Sequence, residues 1–374
     1  MARITLVSRN FPPLTGGMER LVHQLYLNLL ERHEVTLLGP AGCEDFVSAG
    51  ANVRASRISP TSVFLLLTLL KGIFGRKPAR PDVVIGGSGL VGPVVLALAG
   101  MSRAKSILLV HGLDIVADSR LYQWLFVPLL KRADVIVCNS KNTAALAQSA
   151  GVDVSRIVTI NPGVDVEDAA VAHEEAKRSL GLEDKTILLS VGRLIPRKGL
   201  AEFIERSFAD LVKTNPDMVL LIAGSEPSSA LNRPDTSVLA RIKTAIAAHK
   251  LEHHVQLLGH VAGDGIAPLY AAADAFVFPL VETRGDVEGF GMVAIEAAAQ
   301  GAPTVAFDCG GVSDAVANGT SGYLVAAENY AEFSSAIVRA VSGELRGSAR
   351  EFANQFSWEN YAAKTEACLQ EMLA

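Results

Sequence analysis

The stretch from Asp286 to Pro303, DVEGFGMVAIEAAAQGAP, sets two carboxylates, Glu288 and Glu296, eight positions apart around a glycine-flanked turn and the start of a helical run. Paired acids first suggest hydrolysis of a glycosidic bond, which needs carboxyl groups about 5–5.5 Å or 6.5–9.5 Å apart. Eight positions at about 1.5 Å of rise per helical residue put these two roughly 12 Å apart. They are too distant to act on one bond and suit opposite ends of a larger ligand, one holding a sugar and the other a ribose. Between them, Gly289 and Gly291 thin the backbone ahead of a helix N-terminus. Unpaired N–H groups and the positive end of the helix dipole there favour a phosphate or pyrophosphate. The segment Gly289, Phe290, Gly291 and Met292 is therefore expected to offer main-chain contacts to an anionic small molecule.

After the apolar run Ile187–Val191 comes GRLIPRKG, which places Arg193 and Lys198 in a turn leading into a helix that begins near Gly199. Two cations at a strand's C-terminal edge, above a helix N-terminus, neutralise a diphosphate leaving group. The flanking glycines and the strand edge favour this over two solvated surface charges. His111 follows the apolar run Ser106–Val110 and precedes Gly112, so it leaves the sheet at its edge rather than from a core face. Gly16 and Gly17, ahead of Met18, Glu19 and a helix Arg20–Leu29, open a glycine loop onto a helix N-terminus, where backbone approaches a phosphate or sugar closely. Gly310 and Gly311 read the same way.

Other constellations point elsewhere and are weaker. Gly87, Gly89 and Gly92 form G-x-G-x-x-G after Val83–Ile85, formally a dinucleotide fingerprint. That fingerprint needs an acid at the end of the next strand, but the strand ends at Val110 and His111 follows. These glycines read as tight strand-to-helix packing. His249, His253 and His254 have no carboxylate or cysteine at ligand spacing and straddle a helix-to-strand turn, so no metal site is expected.

Short β-branched runs that position these groups alternate with helical stretches. The first half gives Ile4–Ser8, Glu34–Leu38, Val83–Ile85, Ser106–Val110, Val135–Asn139 and Ile157–Ile160; the second gives Ile187–Val191, Met218–Ala223, Val255–Leu258, Ala275–Phe278 and Pro303–Ala306. Near-continuous apolar strands between helices specify parallel sheets covered on both faces, and two such series specify two doubly wound α/β domains. The expected division is 1–168 and 169–357, with a polar linker over Val166–Glu174. A ligand at the C-terminal edges of both sheets would lie in a cleft between them.

The length of 374 residues exceeds what one core supports, in agreement with two domains. With 49% hydrophobic and 20% charged residues the chain is not disordered, and a net charge of −5 gives no overall reason to bind nucleic acid. Cys43, Cys138, Cys309 and Cys368 form no C-x-x-C pair, and MARITLVSRNFPP starts as a strand rather than a secretion signal; both readings point to the cytoplasm. The uncharged run 83–102 is broken by glycines and Pro93 and reads as strand, turn and helix rather than a membrane span. Val63–Phe74, followed by Arg76, Lys77 and Arg80, is too short to span a bilayer. It reads either as a buried helix with a solvated end or as an interfacial segment, giving peripheral membrane contact through 63–80.

Glu288 to Glu296 resembles the E-x7-E signature of the retaining family 4 glycosyltransferases of the GT-B fold. GGMER at Gly16–Arg20, HGLD at His111–Asp114, NPGVD at Asn161–Asp165, GRLIPRKG at Gly192–Gly199 and DCGGVSD at Asp308–Asp314 extend the resemblance over most of the chain. TRGDVEGFG is further similar to the branch that moves mannose from GDP-mannose to lipid acceptors. The resemblance implies two Rossmann-like domains facing across a cleft, the first binding the acceptor and the second the nucleotide, with the C-terminal helix 358–374 crossing back to the first. It implies that Arg193 and Lys198 contact the donor phosphates, that His111 lies near the donor sugar, and that no metal is required. The leaving phosphate itself would receive the acceptor proton. The expected co-substrate is a nucleotide-diphosphate sugar, GDP-mannose ahead of a UDP-sugar, with no cofactor; the expected acceptor is lipid-linked or a glycan. A sugar-nucleotide oxidoreductase or epimerase is the competing class and would need a bound nicotinamide.

Overall fold

The computed structural model describes residues 1–75, 80–166, 172–226, 237–261 and 263–374. The chain divides into two compact units. The first comprises Met1–Gly163, Arg284–Phe290 and Trp358–Ala374; the second comprises Val164–Thr283 and Gly291–Ser357.

The first unit is built on a seven-stranded parallel sheet of β1 (Arg3–Val7), β2 (Glu34–Pro40), β3 (Asn52–Ser56), β4 (Val83–Gly86), β5 (Lys105–Val110), β6 (Val135–Cys138) and β7 (Ile157–Thr159), in the order β3-β2-β1-β4-β5-β6-β7. The second carries six parallel strands: β8 (Thr186–Val191), β9 (Met218–Ala223), β10 (Val255–Gly259), β11 (Ala275–Phe278), β12 (Thr304–Phe307) and β13 (Gly322–Val325), in the order β10-β9-β8-β11-β12-β13. Each order reverses once, between β1 and β4 and between β8 and β11. At such a reversal neighbouring loops diverge and leave a crevice beyond the strands' carboxyl ends. The loops carrying Gly16 and Gly87 follow β1 and β4; the loop carrying Arg193 and Lys198 follows β8.

Eleven of these thirteen strands are those expected, with ends within two residues. The two not foreseen, NVRAS of β3 and GYLV of β13, are both edge strands and only partly buried. With solvent along one side they need no continuous apolar run, so the signal that marks the central strands is absent. The central strands show the opposite pattern: all six residues of β9, MVLLIA, are buried.

The C-terminal helix Trp358–Leu373 belongs to the first unit. Its Tyr361 and Cys368 share a small cavity with Leu25, Ile85, Ile107 and Leu109, so the helix covers the sheet beside the helix Gly17–Leu30. His33 Nε2 lies 2.9 Å from Glu366 Oε2, and the Arg20 guanidinium stands 5.7 Å from the centre of the Trp358 ring. A β-carbon on Gly163 would come within 2.5 Å of that ring.

The expected division at 168/169 and part of the expected linker fall in 167–171, outside the described residues. Arg284–Phe290 groups with the first unit, whereas a single boundary would have left it in 169–357. The reason is local packing against the loops after β5 and β6, described below. The four cysteines form no disulfide, and burial pushes the thiols of Cys43 and Cys138 up to about 12, so neither supplies a thiolate near neutral pH.

Leu369 lies on the buried face of the C-terminal helix. Leu369→Ala is expected to cost about 2–5 kcal/mol through lost burial and the cavity left behind. Equilibrium urea unfolding checks this, and an unchanged midpoint would show that the helix is not docked.

Candidate active site

In the second unit the turn after β8 is pinned by backbone contacts. A β-carbon on Gly224 would run into the Gly192 carbonyl oxygen, and the Leu194 amide donates to the Ser225 carbonyl at 3.0 Å. Gly199 has φ +62°, and a β-carbon there would strike the Pro279 carbonyl oxygen. The Val281 amide donates to the Arg197 carbonyl at 2.9 Å, tying this turn to the segment after β11.

The three cations of GRLIPRKG separate by environment. Arg193 is exposed, Lys198 is half-buried and Arg197 is only 6% exposed. Lys198 Nζ stands 4.3 Å from the centre of the Phe278 ring at the end of β11, a cation–π contact that holds the ammonium at the strand edge. The same ring lies beneath Gly291, where φ is +98° and a β-carbon would come within 3.1 Å of Phe278 Cε1. Phe278 thus joins the cationic turn to the N-terminal end of the helix Met292–Ala299. Val312 and Ala315, just after the Gly310–Gly311 pair, also pack around Gly291. Farther along the helix, Glu296 accepts a hydrogen bond from the Tyr270 hydroxyl at 2.9 Å. Arg193, Lys198, Gly291 and Met292 therefore stand at the carboxyl edge of this sheet, with Glu296 farther along the helix against Tyr270.

The first unit assembles the others. His111 directly follows β5 and is 7% exposed. Its Nε2 lies 2.9 Å from the Gly87 carbonyl oxygen, which can only accept, so Nε2 carries the proton. The His111 amide donates to Asp114 Oδ2 at 2.9 Å, and burial raises the Asp114 carboxyl above its usual value against the pull of His111 and two amides. A β-carbon on Gly87 would come 2.5 Å from Ser8 Oγ, so the loops after β1, β4 and β5 lock together where the strand order reverses. Gly89 and Gly92 pack against Asp114 and Leu108, which fits their reading as packing glycines. Gly16 precedes the helix Gly17–Leu30, and Glu19 from its first turn accepts from Asn10 Nδ2 at 2.7 Å.

Glu288 enters this unit through its neighbours. A β-carbon on Gly289 would collide with the His111 carbonyl oxygen and come 2.7 Å from Asn139 Nδ2. Gly112, with φ +90°, leaves room for Val287. Thr143 Oγ1 lies 2.8 Å from Asn139 Oδ1 and 3.5 Å from the Gly289 carbonyl. The Phe290 side chain is buried, so only its main chain can reach a ligand. Gly16, Gly17, His111, Glu288, Gly289 and Phe290 thus belong to the first unit, and the chain passes to the second between Phe290 and Gly291. Sequence reasoning missed Asn139, Thr143, Tyr270 and Phe278, which lie outside the quoted motifs or read as core. Among the described residues no group of three or more His, Cys, Asp or Glu is placed to hold a metal ion.

Gly289→Ala is expected to lower stability by about 1–3 kcal/mol through overpacking. Gly347→Ala, in a helix with open space around it, should be neutral or slightly stabilising. Thermal unfolding of both variants tests the contrast; equal midpoints would refute the close approach to His111.

Two family models match the chain: Glycosyltransferase Family 4 over residues 15–168 and Glycosyl transferases group 1 over residues 172–361. A GDP-mannose-dependent alpha-(1-6)-phosphatidylinositol monomannoside mannosyltransferase of Mycolicibacterium smegmatis is 26% identical over 99% of this chain and 97% of its own length. A D-inositol 3-phosphate glycosyltransferase 2 of Catenulispora acidiphila is 31% identical over 73% of this chain, which spans 64% of that relative. Among solved structures, Anabaena Alr3699/HepE in complex with UDP and glucose superposes with a TM-score of 0.80 at 19% identity, covering 99% of this chain and 100% of that one. Sucrose-phosphate synthase from Thermosynechococcus elongatus does so with 0.81 at 22%, covering 100% and 99%. The structural likenesses establish the fold, and the family models cover both units. The chain belongs to the glycosyl transferases group 1 and is a family 4 glycosyltransferase of the GT-B fold.

Proposed function

We propose that the protein is a retaining, metal-independent hexosyltransferase that moves a hexose, with mannose from GDP-mannose favoured, to a hydroxyl of a lipid-linked or glycan acceptor. The observation that carries this reading is the Lys198–Phe278–Gly291 assembly, a cation and a helix N-terminus both held against one aromatic ring. Such a surface suits a departing diphosphate, because fixed donors and positive charge stabilise the negative charge that develops as the glycosidic bond breaks. Arg193, exposed on the same turn, adds a second cation. Glu296, oriented by Tyr270, binds the ribose; Glu288 binds a hydroxyl of the sugar beside His111. The Gly16–Gly17 loop and the amides from Gly289 to Met292 supply close main-chain contacts. No side-chain base is needed if the leaving phosphate accepts the acceptor's proton.

The full-length mannosyltransferase relative supports GDP-mannose and a lipid acceptor, and a UDP-sugar donor is the rival. A thermal-shift panel of GDP, UDP, ADP and their sugars separates the two: a ligand held at 100 times its dissociation constant adds about 2.7 kcal/mol of stability. Arg193→Ala and Lys198→Ala should each lower kcat/KM by about 10²–10³-fold with little change in stability. Undiminished transfer in both would refute the phosphate assignment.

The reading extends to the inner face of a membrane, by peripheral contact around residues 63–80. Among the described residues no helix is long and apolar enough to cross a membrane. The helix Thr61–Phe74 buries Phe64 and Thr68 but exposes Leu66, Leu70 and Phe74 by 56%, 39% and 78%. Spaced four apart, these three form one apolar stripe. Arg76 and Lys77 lie outside the described residues; Arg80 is exposed. From residue 61 to 156 the sequence has eleven lysines and arginines against five aspartates and no glutamate, in a chain of net charge −5. An apolar stripe amid local positive charge suits anionic lipid. Sedimentation with phosphatidylglycerol vesicles should retain the protein, whereas Leu66→Ser with Phe74→Ser should release it. Equal partition of both would exclude this surface.

A further inference from the structure

We propose that Asn139, which no motif of the family reading includes, is a further substrate-contacting residue that donates from Nδ2 to a sugar hydroxyl beside Glu288. The inference rests on the proposed hexosyl transfer and adds a residue to it.

Asn139 ends the expected strand and follows β6 directly, at the same sheet edge as His111, and it is 8% exposed. Its amide orientation is set by a relay of hydroxyls. Ser140 Oγ lies 3.1 Å from Thr143 Oγ1 and accepts the Thr143 amide, so its own proton is directed to Thr143 Oγ1. Thr143 Oγ1 then donates to Asn139 Oδ1 at 2.8 Å. With Oδ1 occupied as the acceptor, the amino group must be the opposite atom, Nδ2. That nitrogen stands 2.7 Å from the point a β-carbon on Gly289 would occupy, immediately next to Glu288.

The main chain of Asn139 is held separately. Its carbonyl accepts from Asn161 Nδ2 at 3.1 Å, and its amide reaches the Val110 carbonyl at 3.4 Å. Nδ2 itself donates to no partner among the described residues, although Thr143 already holds the other end of the carboxamide. A polar group that is nearly buried, oriented by a neighbour and left with two N–H donors is suited to an oxygen that arrives with the ligand. A carboxylate on Glu288 accepts from a sugar hydroxyl, while an amide on Asn139 donates to one. Together they bracket a hydroxyl pair with opposite polarity, a pattern that distinguishes one sugar from its epimer.

The test measures transfer and, without acceptor, donor hydrolysis, in Asn139→Ala, Asn139→Asp, Thr143→Val and Thr143→Ser. Ala, Asp and Val should lower kcat/KM by roughly tenfold to a hundredfold at a temperature where each variant remains fully folded, while Thr143→Ser, which keeps the hydroxyl, stays at the wild-type level. If the hydroxyl belongs to the donor, hydrolysis falls together with transfer; if it belongs to the acceptor, only transfer falls and the acceptor KM rises. Wild-type rates in both Asn139 variants, or losses that merely track a lowered midpoint, would overturn the assignment. Absence of any sugar transfer by the wild-type protein would instead overturn the proposed function on which it rests.

Discussion

At Gly199, Gly224 and Gly289 a β-carbon would stand where a carbonyl oxygen of another segment already sits, and the rest of the site depends on that close approach of main chain to main chain. Loops at the carboxyl edge of a parallel sheet are otherwise mobile connections. Here the turn after β8 rests on the segment after β11, and the segment before Phe290 rests on the end of β5. Positive φ at Gly199 and Gly291 adds a second reason for glycine, because other residues pay for that conformation. The polar side chains inherit their precision from these contacts.

The electrostatic arrangement follows from the same geometry. Phe278 is almost wholly buried at the end of β11, yet its ring carries Lys198 on its surface and lies beneath Gly291. The aromatic contact fixes the position of the ammonium at the strand edge. Arg197, two residues from the turn's glycine, is buried instead and gives its carbonyl to Val281. One short sequence thus buries one cation in the framework and leaves the other two at least partly exposed.

In the first unit the imidazole of His111 is committed through Nε2 to the Gly87 carbonyl, and its own carbonyl is covered by Gly289. A histidine held on both main chain and ring is oriented rather than available as a freely turning base. The exposed apolar stripe of the helix Thr61–Phe74 is the feature least explained by folding alone, since burial of Phe64 and Thr68 already docks that helix.

Much of this was legible in the residues themselves. Two series of apolar strands determined two doubly wound units, because a strand buried on both faces must be apolar throughout. The glycines of GRLIPRKG and DVEGFGM marked where backbone had to come close. The edge strands β3 and β13 were hidden because solvent on one side removes the need for that pattern. Only the tertiary structure decided that Arg284–Phe290 folds with the first unit, that Phe278 carries Lys198, and that Thr143 turns the Asn139 amide. These depend on contacts between residues far apart in the chain, and local sequence encodes the shape of each segment but not the partner that fills the space beside it.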